Sequence, residues 1–289
     1  MSSVFVIITG ASKGIGRSCA ISFSRYSSNI KKLRICLLAR NEDGLKETAH
    51  LASVTQDETK TKEVDISTHQ VDLSDMDGLE ERIQDIMNRN VEPVYEQFDH
   101  YILINNAGSL GHLGKASALP SPKDLMQNVE LNLVSSCWLS SYFVRWFHQM
   151  NEKETEKTNG AIFKKCTVVN MSSLCAISSF PTMAVYCAGK AYRDMYHQTM
   201  ALEESKAETE DDEVNKVKIL NYAPGAIVTD MTDTLANSPN LDSGLSEFFN
   251  GKDETKFVKV EDTSNKLVNL VLQGNFENGK HIDYWDDIE

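Results

Sequence analysis

No stretch of this sequence reaches the roughly 18 consecutive apolar residues that a membrane-spanning helix needs, so no membrane association of that kind is expected. Positive charge is scarce. Lys and Arg total 29 against 42 Asp and Glu, a formal net charge of -13. Such a deficit opposes non-specific attraction to nucleic acid or to an anionic bilayer. It leaves room for a local basic pocket that takes a phosphate. No two of the six cysteines, Cys19, Cys36, Cys137, Cys166, Cys175 and Cys187, form a CxxC pair. Most sit inside apolar runs, which predicts reduced core thiols and a cytoplasmic setting. No Cys/His cluster has metal-ligand spacing, so no metal is expected. Residues 1–9 lack the basic region and cleavage site of a signal peptide. There is no internal repeat or low-complexity tract, and one domain over residues 1–289 is expected.

Short apolar runs alternate with longer amphipathic stretches. Strands are predicted at residues 4–9, 33–39, 66–71, 101–105, 166–170, 218–222 and 279–284. Helices are predicted at 14–26, from about 42, and at 76–89, 124–150, 186–203 and 262–272. This rhythm implies an α/β fold, a doubly wound parallel sheet of about seven strands with helices on both faces. The apolar runs lack alternation, as strands buried on both sides do. Three polar stretches, 53–63, 151–160 and 206–216, interrupt the rhythm and read as solvated surface insertions.

The first predicted strand ends in Thr9-Gly10-Ala11-Ser12-Lys13-Gly14-Ile15-Gly16. A glycine-rich strand-to-helix turn brings backbone N–H groups and a helix N-terminus against a pyrophosphate. Its position at the first strand–helix junction predicts a dinucleotide site, although a purely structural turn stays open. The second strand ends Ala39-Arg40-Asn41, without the carboxylate that would hold a ribose hydroxyl. Arg40 can fork onto a 2′-phosphate and Lys13 can add a second positive charge. This favours NADPH/NADP+ over NAD. Glu42 reads as the start of the next helix, where a carboxylate suits the helix dipole.

Four further features follow in order. They are Asn105-Asn106-Ala107-Gly108, Asn132 within Leu131-Asn132-Leu133, Ser172-Ser173 after a strand, and Tyr186-Cys187-Ala188-Gly189-Lys190 opening a helix. Residues i and i+4 share a helix face, so Lys190 approaches Tyr186 and its charge should lower the phenol pKa. Ser173 can hydrogen-bond a developing alkoxide. Its spacing, thirteen residues before Tyr186, selects it over Ser172, and strand neighbours face opposite ways, so only one of the two can face the tyrosine. In this order and spacing the set resembles the short-chain dehydrogenase/reductase family over essentially the whole chain. The resemblance implies carbonyl reduction with Tyr186 as proton donor. It also implies that Lys190 binds the nicotinamide ribose and that Asn132 holds a relay water. A buried asparagine bonded only to backbone remains the other reading of Asn132. The turn Asn221-Tyr222-Ala223-Pro224-Gly225 resembles the family's segment against the nicotinamide, with Ile227, Thr229 and Met231 following. Asp72-Leu73 resembles its adenine contact. A homodimer through the helices at 124–150 and 186–203 is also implied.

Several strings resemble more narrowly the pterin-reducing members of that family. They include Ser172-Ser173-Leu174-Cys175-Ala176, Arg193-Asp194-Met195 and Gly279-Lys280-His281-Ile282-Asp283-Tyr284. By that resemblance Asp283 accepts two N–H groups of a pterin in a fork, with Ser173, Leu174, Tyr186 and Gly225 also at the substrate. Asp283 as part of an acidic tail is the alternative. A related diketone reductase and a non-catalytic NADPH-binding regulator remain as other functions.

Overall fold

The computed structural model describes residues 2–25, 30–54, 63–119, 121–158, 164–206, 217–251 and 255–287. Strands β1 (Ser2–Thr9), β2 (Ile30–Ala39), β3 (Glu63–Gln70), β4 (His100–Asn105), β5 (Lys165–Met171), β6 (Val217–Ala223) and β7 (His281–Asp283) form one sheet. Its order is β3-β2-β1-β4-β5-β6-β7, and every neighbouring pair is parallel. This is the Rossmann-like arrangement that the alternating pattern predicts. Helices α1 (Gly14–Arg25), α2 (Glu42–Val54), α3 (Leu79–Asn90), α4 (Pro122–Val129), α5 (Ser135–Thr158), α6 (Ala184–Lys206), α7 (Asp230–Ala236), α8 (Ser243–Gly251) and α9 (Val260–Gln273) complete it.

Strand side chains alternate between faces, and the two faces carry two cores. Phe5 and Ile7 of β1 pack with Ile83 of α3, Phe143 and Phe147 of α5, and Ala201 of α6. Val4, Val6 and Ile8 pack instead with Phe23 of α1, Leu45 of α2 and Leu267 of α9. Each such fully buried side chain contributes about 1.5–3 kcal/mol of transfer free energy. The outer strand β3 is not buried on both faces as expected, because it lies at the sheet edge and only β2 borders it.

Two further expectations are corrected. Residues 151–158 are not a loop, because α5 continues through them to Thr158. Asn151 there is buried and accepts a hydrogen bond from the Tyr95 hydroxyl. The helical region at 124–150 is also not continuous: a π-helical turn at Glu130–Val134 separates α4 from α5. The core of the 53–63 stretch (55–62), nearly all of 206–216 (207–216), and 159–160 lie outside the described residues.

The order places β1 between β2 and β4, so the chain reverses direction across the sheet there. A crevice at the carboxyl ends of strands beside such a reversal is the usual ligand position of this architecture.

Candidate active site

A cavity of about 700 Å³ occupies that crevice. The glycine turn makes one wall. Gly10 has φ +64°, and a Cβ there would stand 2.8 Å from Asn106 Nδ2. A Cβ on Gly16 would stand 2.5 Å from the Gly10 carbonyl oxygen, so the helix could not approach the strand as it does. The other wall is the loop after β4. Thr9 binds it to β1: its hydroxyl accepts from the N–H groups of Asn106 and Ala107, both at 2.9 Å.

Most of the expected cofactor residues line this cavity: Gly10, Ser12, Lys13, Gly14, Ile15, Arg40, Asn41, Asp72, Leu73, Asn106, Ala107, Gly108, Thr229 and Met231. Gly16, Pro224, Gly225, Ile227, Tyr186 and Lys190 are not among its lining residues. The sequence reading missed Asp230. It opens α7 and holds Lys13 Nζ at 2.5 Å. Lys13 is therefore engaged, which leaves Arg40 as the main cation at this end. Arg40 is 69% exposed at its side chain and 4.0 Å from Asp72. Burial raises the Asp72 carboxyl pKa, but the Ser74 hydroxyl and N–H and the Arg40 charge outweigh it and hold it below the ordinary value. Glu42 begins α2, as read from sequence, and it pairs with Lys46.

Beside the cavity, Ser173 follows β5 and Tyr186 lies in the first turn of α6. The Ser173 side chain is close enough to the Tyr186 phenol to favour its ionised form, and its Oγ accepts from the Cys175 N–H at 3.2 Å. Ser172 is buried and turned the other way, 3.4 Å from His281 Nδ1. Lys190 Nζ donates to the Met171 carbonyl and lies 5.5 Å from the centre of the Tyr186 ring.

The electrostatics differ from expectation. Burial pushes the Tyr186 phenol up, and Arg193 and Ser173 pull it back only in part. Burial, reinforced by the Arg193 charge, brings Lys190 down to about 7. The lysine was expected to lower the tyrosine; here Arg193 and Ser173 do so instead, and burial outweighs both. The phenol therefore keeps its proton across neutral pH, as a donor must.

Asn132 sits in the π-helical turn and is bonded to backbone. Its Nδ2 donates to the Ser109 carbonyl at 2.9 Å, and its Oδ1 accepts from the Ser109 N–H at 2.8 Å. Thr229 caps α7, its hydroxyl accepting from the Thr232 N–H. The Ile227 carbonyl accepts from the Thr232 hydroxyl. Asp283, on β7, accepts from the Trp285 N–H at 3.1 Å. Leu174 is exposed. An apolar cluster of Leu110, Met183, Leu235 and Leu241 packs with Tyr186 and Met231.

Sequence reasoning did not find the polar row behind the site. Asn105, Asn170, Asn221 and His281 stand side by side across β4, β5, β6 and β7. Asn170 Nδ2 donates to Asn221 Oδ1 and Asp194 Oδ1, and Asp194 Oδ2 meets His281 Nδ1 at 2.6 Å. The signal was present as an asparagine ending three apolar runs.

Fold and site together define an oxidoreductase of the short-chain dehydrogenase type. The family model for short chain dehydrogenases matches residues 4–240, and the chain belongs to that family. The sepiapterin reductase of Rattus norvegicus is 32% identical over 97% of this chain and 95% of its own. That of Meriones unguiculatus is 30% identical over 97% and 96%. A benzil reductase of Bacillus subtilis is 26% identical over 96% of both. Among solved structures, the KRED1-Pglu enzyme matches with TM-score 0.71 at 17% identity, covering 97% of this chain and all of that one. This last likeness concerns the fold.

Proposed function

We propose that this chain reduces the side-chain carbonyl of a pterin with NADPH, as a sepiapterin reductase does. The observation that carries the reading is the Tyr186 phenol with Ser173 close by and Lys190 Nζ 5.5 Å from its ring, beside a cavity built on the glycine turn. The cavity's donor set fits a nicotinamide dinucleotide: the turn leaves room for a pyrophosphate at the N-terminus of α1, and Arg40 faces solvent for a 2′-phosphate. That cofactor supplies the hydride. Tyr186 Oη gives its proton to the carbonyl oxygen, and the Ser173 hydroxyl bonds the same oxygen as charge develops. Lys190, titrating near neutrality, can pass a proton at Nζ towards the phenol and hold a ribose hydroxyl. Asn132 keeps the backbone of Ser109 in place and would hold the relay water. Pro224, Gly225, Ile227, Thr229 and Met231 would flank the nicotinamide. Asp283 would take the pterin's N–H edge in a carboxylate fork, and Leu174 and Gly225 would also contact the substrate.

The apolar cluster beside Tyr186 favours a second reading, a diketone reductase of the benzil type. A homodimer through α5 and α6 is supported by exposed Tyr192, Met195 and Leu202 on α6. A cytoplasmic setting is proposed from the free cysteines. No described helix is long and apolar enough to cross a membrane.

The test follows NADPH absorbance with sepiapterin and with benzil, for the parent chain and for Asp283→Ala. The pterin reading expects sepiapterin turnover that falls about tenfold or more in the variant, with benzil turnover kept. Benzil turnover without sepiapterin turnover selects the second reading.

A further inference from the structure

Arg193 is the bulkiest fully buried side chain among the described residues, 1% exposed. Burying a cation is costly unless hydrogen bonds compensate. Here they do. Nη2 donates to the Asn105 carbonyl at 2.6 Å, Nη1 to the Ala107 carbonyl at 3.1 Å, and Nε to Asn170 Oδ1 at 2.7 Å. Ala107 belongs to the loop that forms the wall of the cavity opposite the glycine turn, and Asn105 ends β4 where that loop begins. Gly108 leaves the space: a Cβ there would stand 3.1 Å from Asn132 Oδ1 and 3.7 Å from Arg193 Nη1. The guanidinium thus fastens the catalytic helix to the loop that shapes the cofactor cavity.

The same group is a fixed charge. Its neighbour Asp194 does not neutralise it by contact, because the carboxylate oxygens are taken by Asn170 and His281. Arg193 lies seven residues after Tyr186 and three after Lys190, on one face of α6. Helix side chains lean towards the N-terminus, so the guanidinium leans towards both. The groups facing this point are Cys137 from α5, Cys175 from the turn after β5, and Tyr186, Cys187, Lys190, Asp194 and His197 from α6. Burial holds Cys137 and Cys175 at about 11, so both thiols are neutral. Lys190 titrates near neutrality, whereas a guanidinium stays charged.

We infer that Arg193 is a positioning residue for this reaction: its buried guanidinium fixes the 105–108 segment to α6 and sets the electrostatic level at which Tyr186 and Lys190 exchange protons. The inference rests on Tyr186 being the proton donor. Tyr186→Phe tests that reading separately, since full activity in that variant removes the reading while NADPH binding still reports on the loop.

The deciding experiment is the pH profile of kcat/KM for alcohol oxidation with NADP+, where Tyr186 must be deprotonated, together with NADPH affinity by fluorescence. Arg193→Gln removes the positive charge from both partners, so the apparent pKa on the rising limb should move up by about one unit. That is about a tenfold lower rate on the limb. Arg193→Lys keeps the charge but cannot span two carbonyls. Its limb should stay within about 0.3 unit while NADPH binding weakens roughly fivefold. A Gln variant that folds, binds NADPH and superimposes on the parent profile overturns the inference. If the Gln variant does not fold, the Lys variant decides, and a full-unit shift or unchanged NADPH affinity overturns it.

Discussion

At the scale of single residues, the site became legible where chemistry demands a residue type. A phenol four residues before a lysine and a hydroxyl thirteen residues before that phenol are constraints a linear sequence can display. The choice between Ser172 and Ser173 rested on spacing from Tyr186, with strand alternation allowing only one to face it, and in the structure Ser173 acts on the Tyr186 phenol while Ser172 turns to His281. Ser173→Ala should therefore lower kcat about a hundredfold or more while leaving NADPH binding intact. Ser172→Ala should change kcat less than about threefold, since a bond of 3.4 Å to His281 is weak. A kinetic comparison of the two variants decides. Arg193 and His281 were quoted in the sequence reading without a role. Their importance depends on strand register and on a helix crossing, which a single sequence does not display. The same limit hid the ion pair of Lys13, whose partner Asp230 is 217 positions away.

Among elements, the strands and most helices were readable because burial on both sides removes polar residues from a strand. The errors have a common cause. A π-helical turn changes the winding by one residue without changing composition, so 124–150 reads as one helix. Residues 151–158 are polar enough to read as a loop, yet they continue α5, and one buried residue anchors them. That residue, Asn151, bonds the buried Tyr95 hydroxyl, and Tyr95 in turn stacks on Tyr101 at 4.8 Å. Asn151→Ala leaves a buried hydroxyl without this partner and should cost about 1–3 kcal/mol. Thermal unfolding should show a lower Tm, and combination with Tyr95→Phe should recover part of it. An unchanged Tm would mean that the polar stretch is held by its helix alone.

For the whole molecule, buried histidines set the acid limit. Burial holds His100 down to about 3, aided by the Lys165 charge, and holds His197 down to about 4. Both stay neutral in the fold while the unfolded chain protonates them near 6.5. The unfolded state therefore binds more protons between pH 6.5 and 4, and stability falls as pH falls through that window. Each histidine contributes a slope of up to about 1.4 kcal/mol per pH unit. Lys190, held near 7 against 10.5 unfolded, acts in the same sense between pH 7 and 9, where stability should rise with pH. Denaturant unfolding of the ligand-free chain at pH 4.5, 6.5 and 8.5 checks both slopes. His197→Gln should flatten the acid one, and Lys190→Met the neutral one.

The single sheet is a wall shared by two cores. Ile7 and Ile8 are joined by a peptide bond, yet they pack into different clusters. Ile7 and Leu103 are nearly a hundred positions apart, yet they face each other in register and share one cluster. Substitutions in contact are energetically coupled, and those without common partners add. Along any central strand, chain neighbours are thus independent in energy, while their counterparts across the ladder are not. Drift in this protein can repack one face while the other stays as it is.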